Sequence, residues 1–177
     1  LADVRDDAPA PAPGEQAIHP AVSRALEALE RSKVQWCLLR GESELASPSG
    51  DVDLLVARSD VPRLRDALAP LGFALLRAYG HGPHRFFVTY DGKSESWIKL
   101  DVVTELAYGR WHELATGAAA DCLSRRRYVG PLALLARDDA FWTLLLHCML
   151  DRASFSIAQR ERLLELADEA SSAGPFA

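Results

Sequence analysis

Cysteine is scarce in this chain. Cys37, Cys122 and Cys148 stand far apart, odd in number and without a CxxC pair. That argues against a disulfide scaffold and against a thiolate zinc site, and fits a reducing, cytoplasmic setting. Long hydrophobic runs are missing too. The longest candidate, Phe141 to Leu150, falls well short of the roughly 20 residues that span a bilayer and carries His147, so no membrane association is expected. Nor is there an excess of positive charge: Lys and Arg number 20 against 25 Asp and Glu, for a formal net charge of −5. Sequence-independent nucleic-acid binders are normally basic, so nucleic acid is a disfavoured partner, with only a local patch left open. No GxxxxGK[ST] phosphate loop and no internal repeat occurs.

What is present is the balance of a globular protein, 49% hydrophobic and 25% charged. A length of 177 residues suits one ordinary domain or a small core with appended helices. Residues 1–17 are rich in Ala, Pro and acid and lack the basic and apolar regions of a signal peptide, so they read as a flexible arm. Residues 18–127 read as the core, 128–172 as a helical C-terminal subdomain and 173–177 as a tail. The first residue, Leu1, suggests an excised fragment or an unusual start codon, and the chain is expected to be fused to or paired with another domain.

Val22, Leu26 and Leu29 recur at helical spacing behind Pro20, which predicts an amphipathic helix over 20–33. Residues 34–39 (VQWCLL) and 51–56 (DVDLLV) read as buried strands separated by turn chemistry. A helix is expected from Ser59 or Asp60 to Ala69, then a strand over 73–79 and a loop over 80–84. Strands over 85–90 and 97–103 are joined by Asp91-Gly92 as a hairpin. The pattern then turns helical until 128–131 breaks it, and 138–150 with 156–170 form a helical hairpin. The fold class is mixed α+β: a small mixed β-sheet flanked by helices, with a helical C-terminal part.

Three carboxylates carry the chemistry. Asp51 and Asp53, two apart on one strand, project from the same face at the lip of an apolar strand. Two carboxylates so close repel, and burial sharpens the repulsion. A divalent cation, Mg²⁺ or Mn²⁺, relieves it and takes carboxylate, phosphate and water oxygens. Asp101 lies on another apolar strand and would complete a two-metal site. Gly41 and Ser43 follow the first strand, where small residues let backbone N–H groups and a hydroxyl approach phosphate. With Arg40 beside them and Lys99 on the Asp101 strand, they are the candidate nucleotide-phosphate contacts. The alternative for Asp51 and Asp53 is a turn and strand edge, with Asp101 paired to Lys99 or an arginine.

The segments Leu39-Arg40-Gly41-Glu42-Ser43, Gly50-Asp51-Val52-Asp53-Leu54-Leu55-Val56 and Leu100-Asp101-Val102-Val103 resemble the nucleotidyltransferase superfamily. That superfamily includes DNA polymerase β and the minimal and aminoglycoside nucleotidyltransferases. The resemblance spans roughly residues 34–103. Uncharacterised bacterial proteins of the same fold look similar over a longer stretch. It implies that Asp51 and Asp53 hold the metals and that Asp101 is the third ligand or the base for the acceptor hydroxyl. It also implies that Gly41 and Ser43 hold the β- and γ-phosphates. Here Glu42 separates a glycine and a serine that usually adjoin.

The implied activity is transfer of a nucleoside monophosphate from an NTP to an unidentified acceptor hydroxyl. The alternative is a non-catalytic regulatory, antitoxin-like or nucleotide-sensing module. A glycosyltransferase using Asp-x-Asp ranks third, because only one strand precedes the motif.

Other residues divide between function and scaffold. His81, His84 and Arg85 flank a Gly-Pro loop and are candidate acceptor or phosphate contacts, against an ordinary exposed loop. Arg125-Arg126-Arg127 is the only basic run, an anion contact or, as the favoured reading, a solvated face. Trp97 and Trp111 could stack on a base, with core packing the commoner use. Glu105 is an extra carboxylate or a helix-capping residue. His147 reads as a satisfied core histidine, and His19 and His112 carry no signal.

Overall fold

The computed structural model describes residues 18–77, 82–168 and 170. Helix α1 (Pro20–Arg31) begins where His19 caps it: the His19 Nδ1 accepts from the Ala21 N–H, and Pro20 occupies the first turn. Its buried side chains, Val22, Ala25, Leu26 and Leu29 among them, form one stripe on the core. The chain then enters β1 (Trp36–Leu38), turns through a short 3₁₀ segment (Glu42–Glu44) and returns antiparallel as β2 (Asp51–Val56). Helix α2 (Val61–Leu68) packs beside α1. Strands β3 (Ala74–Leu75), β4 (His84–Asp91) and β5 (Ser96–Val103) follow, the last two as the expected hairpin.

The helical pattern expected after Glu105 gives way to a different arrangement. Strands β6 (Ala107–Tyr108) and β7 (Leu114–Ala115) make a small separate hairpin, and only α3 (Ala119–Arg125) is helical. Residues 128–131, read as a break, sit within a second hairpin of β8 (Arg127–Val129) and β9 (Leu132–Leu134). The three buried side chains of β9 let it join the main sheet parallel to β1. The sheet therefore has seven strands, ordered β3-β4-β5-β2-β1-β9-β8. Tertiary pairing overrides a local propensity here, because a three-residue apolar strand carries no period to read.

Trp36, Leu38, Leu54, Phe87, Ile98 and Leu100 are almost wholly buried and anchor the core on this sheet. The helical part follows. Helix α4 (Arg137–Leu146) runs directly into a π-helical turn (His147–Arg152) and then reverses into α5 (Ile157–Ala167). The reversal passes through Ala153, whose φ of +50° is left-handed. Helix α5 starts with a reciprocal cap: Ser156 Oγ accepts from the Gln159 N–H, and Gln159 Oε1 accepts from the Ser156 N–H. Ser156→Ala should lower stability by about 1 kcal/mol, read as a shifted midpoint at constant slope in urea unfolding.

No helix among the described residues is long and apolar enough to cross a membrane.

Candidate active site

The parallel pairing of β2 with β5 sets Asp51 beside Lys99 and Asp53 beside Asp101. The antiparallel pairing of β4 with β5 sets Phe86 beside Asp101 and His84 beside Val103. Paired residues share a face and strands alternate every two residues. Asp51, Asp53, Lys99, Asp101, Phe86 and His84 therefore stand on one face. Below Asp53 the strand is apolar and buried on both sides, through Leu54, Leu55 and Val56. The carboxylates thus mark the point where sheet gives way to open cleft. Side-chain exposure falls from 32% at Asp51 through 16% at Asp53 to 8% at Asp101, so the cleft deepens toward Asp101.

Each carboxylate has a nitrogen partner. Lys99 Nζ lies 2.7 Å from Asp51 Oδ1 and 5.2 Å from the centre of the Phe86 ring. Arg40 Nε lies 2.9 Å from Asp53 Oδ2. His84 Nδ1 lies 3.0 and 2.9 Å from the two oxygens of Asp101. Burial raises the Asp53 carboxyl above its ordinary value. Arg40 opposes the rise, and the negative charges of Asp101 and Asp51 add to it. Asp53 remains a carboxylate short of positive charge even with its arginine.

Arg40, Gly50, Asp51, Asp53, His84, Phe86 and Asp101 line a cleft of about 960 Å³ from the sheet, and Lys99 is not among its lining residues. The rest of the lining includes the β6–β7 hairpin (Tyr108, Gly109, Arg110, His112) and the π-helical turn (His147, Asp151, Arg152). Among the described residues, no group of three or more His, Cys, Asp and Glu is already gathered as a metal cage. The donor chemistry suits a hard cation nonetheless. Three carboxylates and no thiol are oxygen donors of the kind that hard divalent cations take.

The other sequence candidates divide. Gly41 and Ser43 are not among the cleft-lining residues. Gly41 sits at φ +79°, a conformation that favours glycine, and starts the 3₁₀ turn. Glu42, the residue that interrupts the expected glycine-serine pair, forms an ion pair with Arg162 of α5 and ties this loop to the C-terminal helix. Arg85 points to the other face of β4, where Nη1 reaches the Pro83 carbonyl and Thr104 Oγ1 at 3.4 and 3.5 Å. There it helps line a smaller hollow of about 240 Å³. His81 lies outside the described residues.

Glu105 lines both hollows and is held by Arg58 at 3.0 Å. No helix follows it to be capped. Trp97 and Trp111, favoured for the core, are instead exposed, at 67% and 69%. Trp97 leans on Tyr90 at the far end of the hairpin, away from the cleft.

Two histidines escaped the sequence reading. His112 lines the cleft and lies against the His84 ring, centroids 4.9 Å apart. Nothing in its local pattern announces this, since the β6–β7 hairpin carries it there. His147, expected in the core, also faces the cleft, with Nδ1 2.8 Å from Asp151 Oδ2. Here a signal existed: His and Asp four apart on a helical pattern share a face.

The seven-stranded mixed sheet with its flanking helices is consistent with a nucleotidyltransferase-type fold. The chain matches the solution structure of the antibiotic-resistance factor ANT(2'')-Ia, a nucleotidyltransferase, with a TM-score of 0.52 and 12% sequence identity. The match covers 84% of this chain and 82% of that one. An identity this low establishes shared fold alone. No family profile and no curated protein matches the sequence.

Proposed function

We propose that the chain is a divalent-metal-dependent nucleotidyltransferase that moves a nucleoside monophosphate from an NTP to an acceptor hydroxyl. The observation that carries this reading is the register of β2 on β5. It stands Asp53 opposite Asp101, with Asp51 two residues along the same face, at the base of a cleft of about 960 Å³. Asp51, Asp53 and Asp101 would hold Mg²⁺ or Mn²⁺, which when bound supplies charge neutralisation on the phosphates and on the leaving pyrophosphate. In this reading Arg40, now paired with Asp53, and Lys99, now paired with Asp51, would turn to the triphosphate once the metal takes the carboxylates. His84 fixes the Asp101 carboxylate through both oxygens. The partners in this reading are an NTP and a hydroxyl acceptor, and the setting is the cytoplasm.

The test is calorimetric titration of the full chain with ATP, CTP, GTP and UTP, with and without Mg²⁺, against the Asp51→Ala/Asp53→Ala double variant. Mg²⁺-dependent binding that the variant loses supports the reading and names the nucleotide. A second reading has its own observation. Gly41 and Ser43 stand outside the cleft lining and Glu42 is held by Arg162, as suits a regulatory module that holds a partner without a nucleotide. That module binds none of the four NTPs.

A further inference from the structure

The cleft that holds the carboxylates is also lined by a second pairing that the metal chemistry does not use. The π-helical turn His147–Arg152 presents His147, Asp151 and Arg152 to the cleft. π-Helical turns within α-helices are frequent at functional sites. Asp151 is fixed from two sides: Oδ1 accepts from the Gly109 N–H at 2.8 Å, and Oδ2 faces His147 Nδ1 at 2.8 Å. An ionised carboxylate only accepts, so Nδ1 carries the proton. That leaves the Nε2 lone pair of His147 without a protein partner among the described residues.

Building on the nucleotidyltransferase reading, we propose that His147 is the general base for the acceptor hydroxyl, with Asp151 as its positioning residue. The acceptor O–H gives its proton to His147 Nε2 as the acceptor oxygen forms its bond to the α-phosphorus. The bond from that phosphorus to the bridging oxygen breaks, and pyrophosphate leaves with the electron pair. The imidazolium then returns its proton to water. Asp101, assigned to the metal in this reading and hydrogen-bonded to His84 Nδ1, leaves the proton to a separate group.

The surroundings keep His147 neutral. Burial is the main cause that lowers its imidazolium below the ordinary histidine value, and the Arg40 charge adds to it. Asp151 pulls the other way, and Arg152 pushes down again. From β6, the buried Tyr108 hydroxyl has no hydrogen-bond partner among the described residues, and Cys148 lies buried on the His147 turn. Arg40 links the two pairings, since it pairs with Asp53 and also acts on His147. Protonation removes a base, so transfer should persist at neutral pH and fall only as pH drops below the ordinary histidine range.

The experiment compares the full-length wild type with His147→Asn and Asp151→Asn. It reads Mg²⁺-dependent NTP binding, pyrophosphate release with water and with glycerol as surrogate acceptors, and the ¹⁵N long-range spectrum of the His147 ring. The expected result is unchanged NTP binding in both variants, with a roughly 100-fold slower release in His147→Asn. The acidic limb of the pH profile should vanish there, and the wild-type ring should be the Nδ1–H tautomer that Asp151→Asn disturbs. Wild-type release rates in His147→Asn would overturn the base role and leave the nucleotidyltransferase reading standing. Failure of the wild type to bind any NTP would overturn both. Should wild type bind but not turn over, the ring decides: an Nε2–H tautomer, or an imidazolium at pH 7, rules His147 out as a base.

Discussion

Asp53→Asn should weaken Mg²⁺-dependent NTP binding by at least about 100-fold while the protein becomes no less stable at neutral pH. Loss of a group that only orients a metal ligand costs roughly 10–100-fold in metal affinity, and Asp53 is proposed as a ligand itself. The stability half of the expectation follows from electrostatics. The folded Asp53 carboxyl lies above its ordinary value of 3.8, first through burial and then through Asp101 and Asp51, with Arg40 only partly offsetting them. A carboxyl raised in this way adds stability below about pH 3.8, and that contribution is lost as pH rises through the folded value. At pH 7 the charged Asp53 is therefore a net burden that asparagine removes. Asparagine also keeps an oxygen for Arg40 Nε.

Melting temperature should be equal or higher in the variant at pH 7, with the difference shrinking as pH falls toward 3.8. Opposed movements of binding and stability are the mark of a functional site whose charges are strained without their ligand. A variant that bound Mg²⁺-NTP normally would remove Asp53 from the site. A variant that melted well below wild type at pH 7 would show the Arg40 pair to be mainly structural.

How far the site could be read beforehand depended on sequence separation. The Asp51–Asp53 pair was legible because a two-residue strand period puts both on one face without reference to anything distant. Asp101 was legible as a strand carboxylate, and the β4–β5 hairpin around Asp91-Gly92 was legible from its turn. The register that stands Asp53 beside Asp101 was not. It joins strands almost fifty positions apart through a parallel pairing that no local pattern encodes. The same reason hid the rest of the cleft lining. Strands of two residues, such as Ala107–Tyr108, have no period, and His112 is placed by the hairpin they form. His147 was misjudged differently. An apolar helix suggested a buried, satisfied ring, and its Nδ1 is indeed satisfied, but the turn it opens is π-helical and lies against the cleft.

The arginine run shows how a charge pattern misleads when its partner lies elsewhere in the chain. Read alone, Arg125-Arg126-Arg127 is a solvated face or an anion contact. In the fold all three are committed to the scaffold. Arg126 donates to the Leu123 carbonyl and Arg127 to the Leu135 carbonyl. Arg125 grips Asp139 through two hydrogen bonds of 3.2 and 2.9 Å. Asp139 is 1% exposed, on the first turn of α4, and shares its support between that guanidinium, the Cys122 thiol and the helix N-terminus.

Arg125→Ala should therefore destabilise the protein by about 1–3 kcal/mol, the usual result of leaving a buried acceptor short of its main partner, discounted because Arg125 is half-exposed. Scanning calorimetry should show a drop in Tm of roughly 2–10 °C. The double variant Arg125→Leu/Asp139→Leu should recover most of that loss, because burying two apolar groups removes the uncompensated charge. An anion-binding role predicts the reverse: Tm unchanged in Arg125→Ala, and NTP affinity reduced in the molecules that remain folded. The two roles separate in a single pair of measurements. The first ties α3 to α4 and so holds in place the helix that continues into the π-helical wall of the cleft.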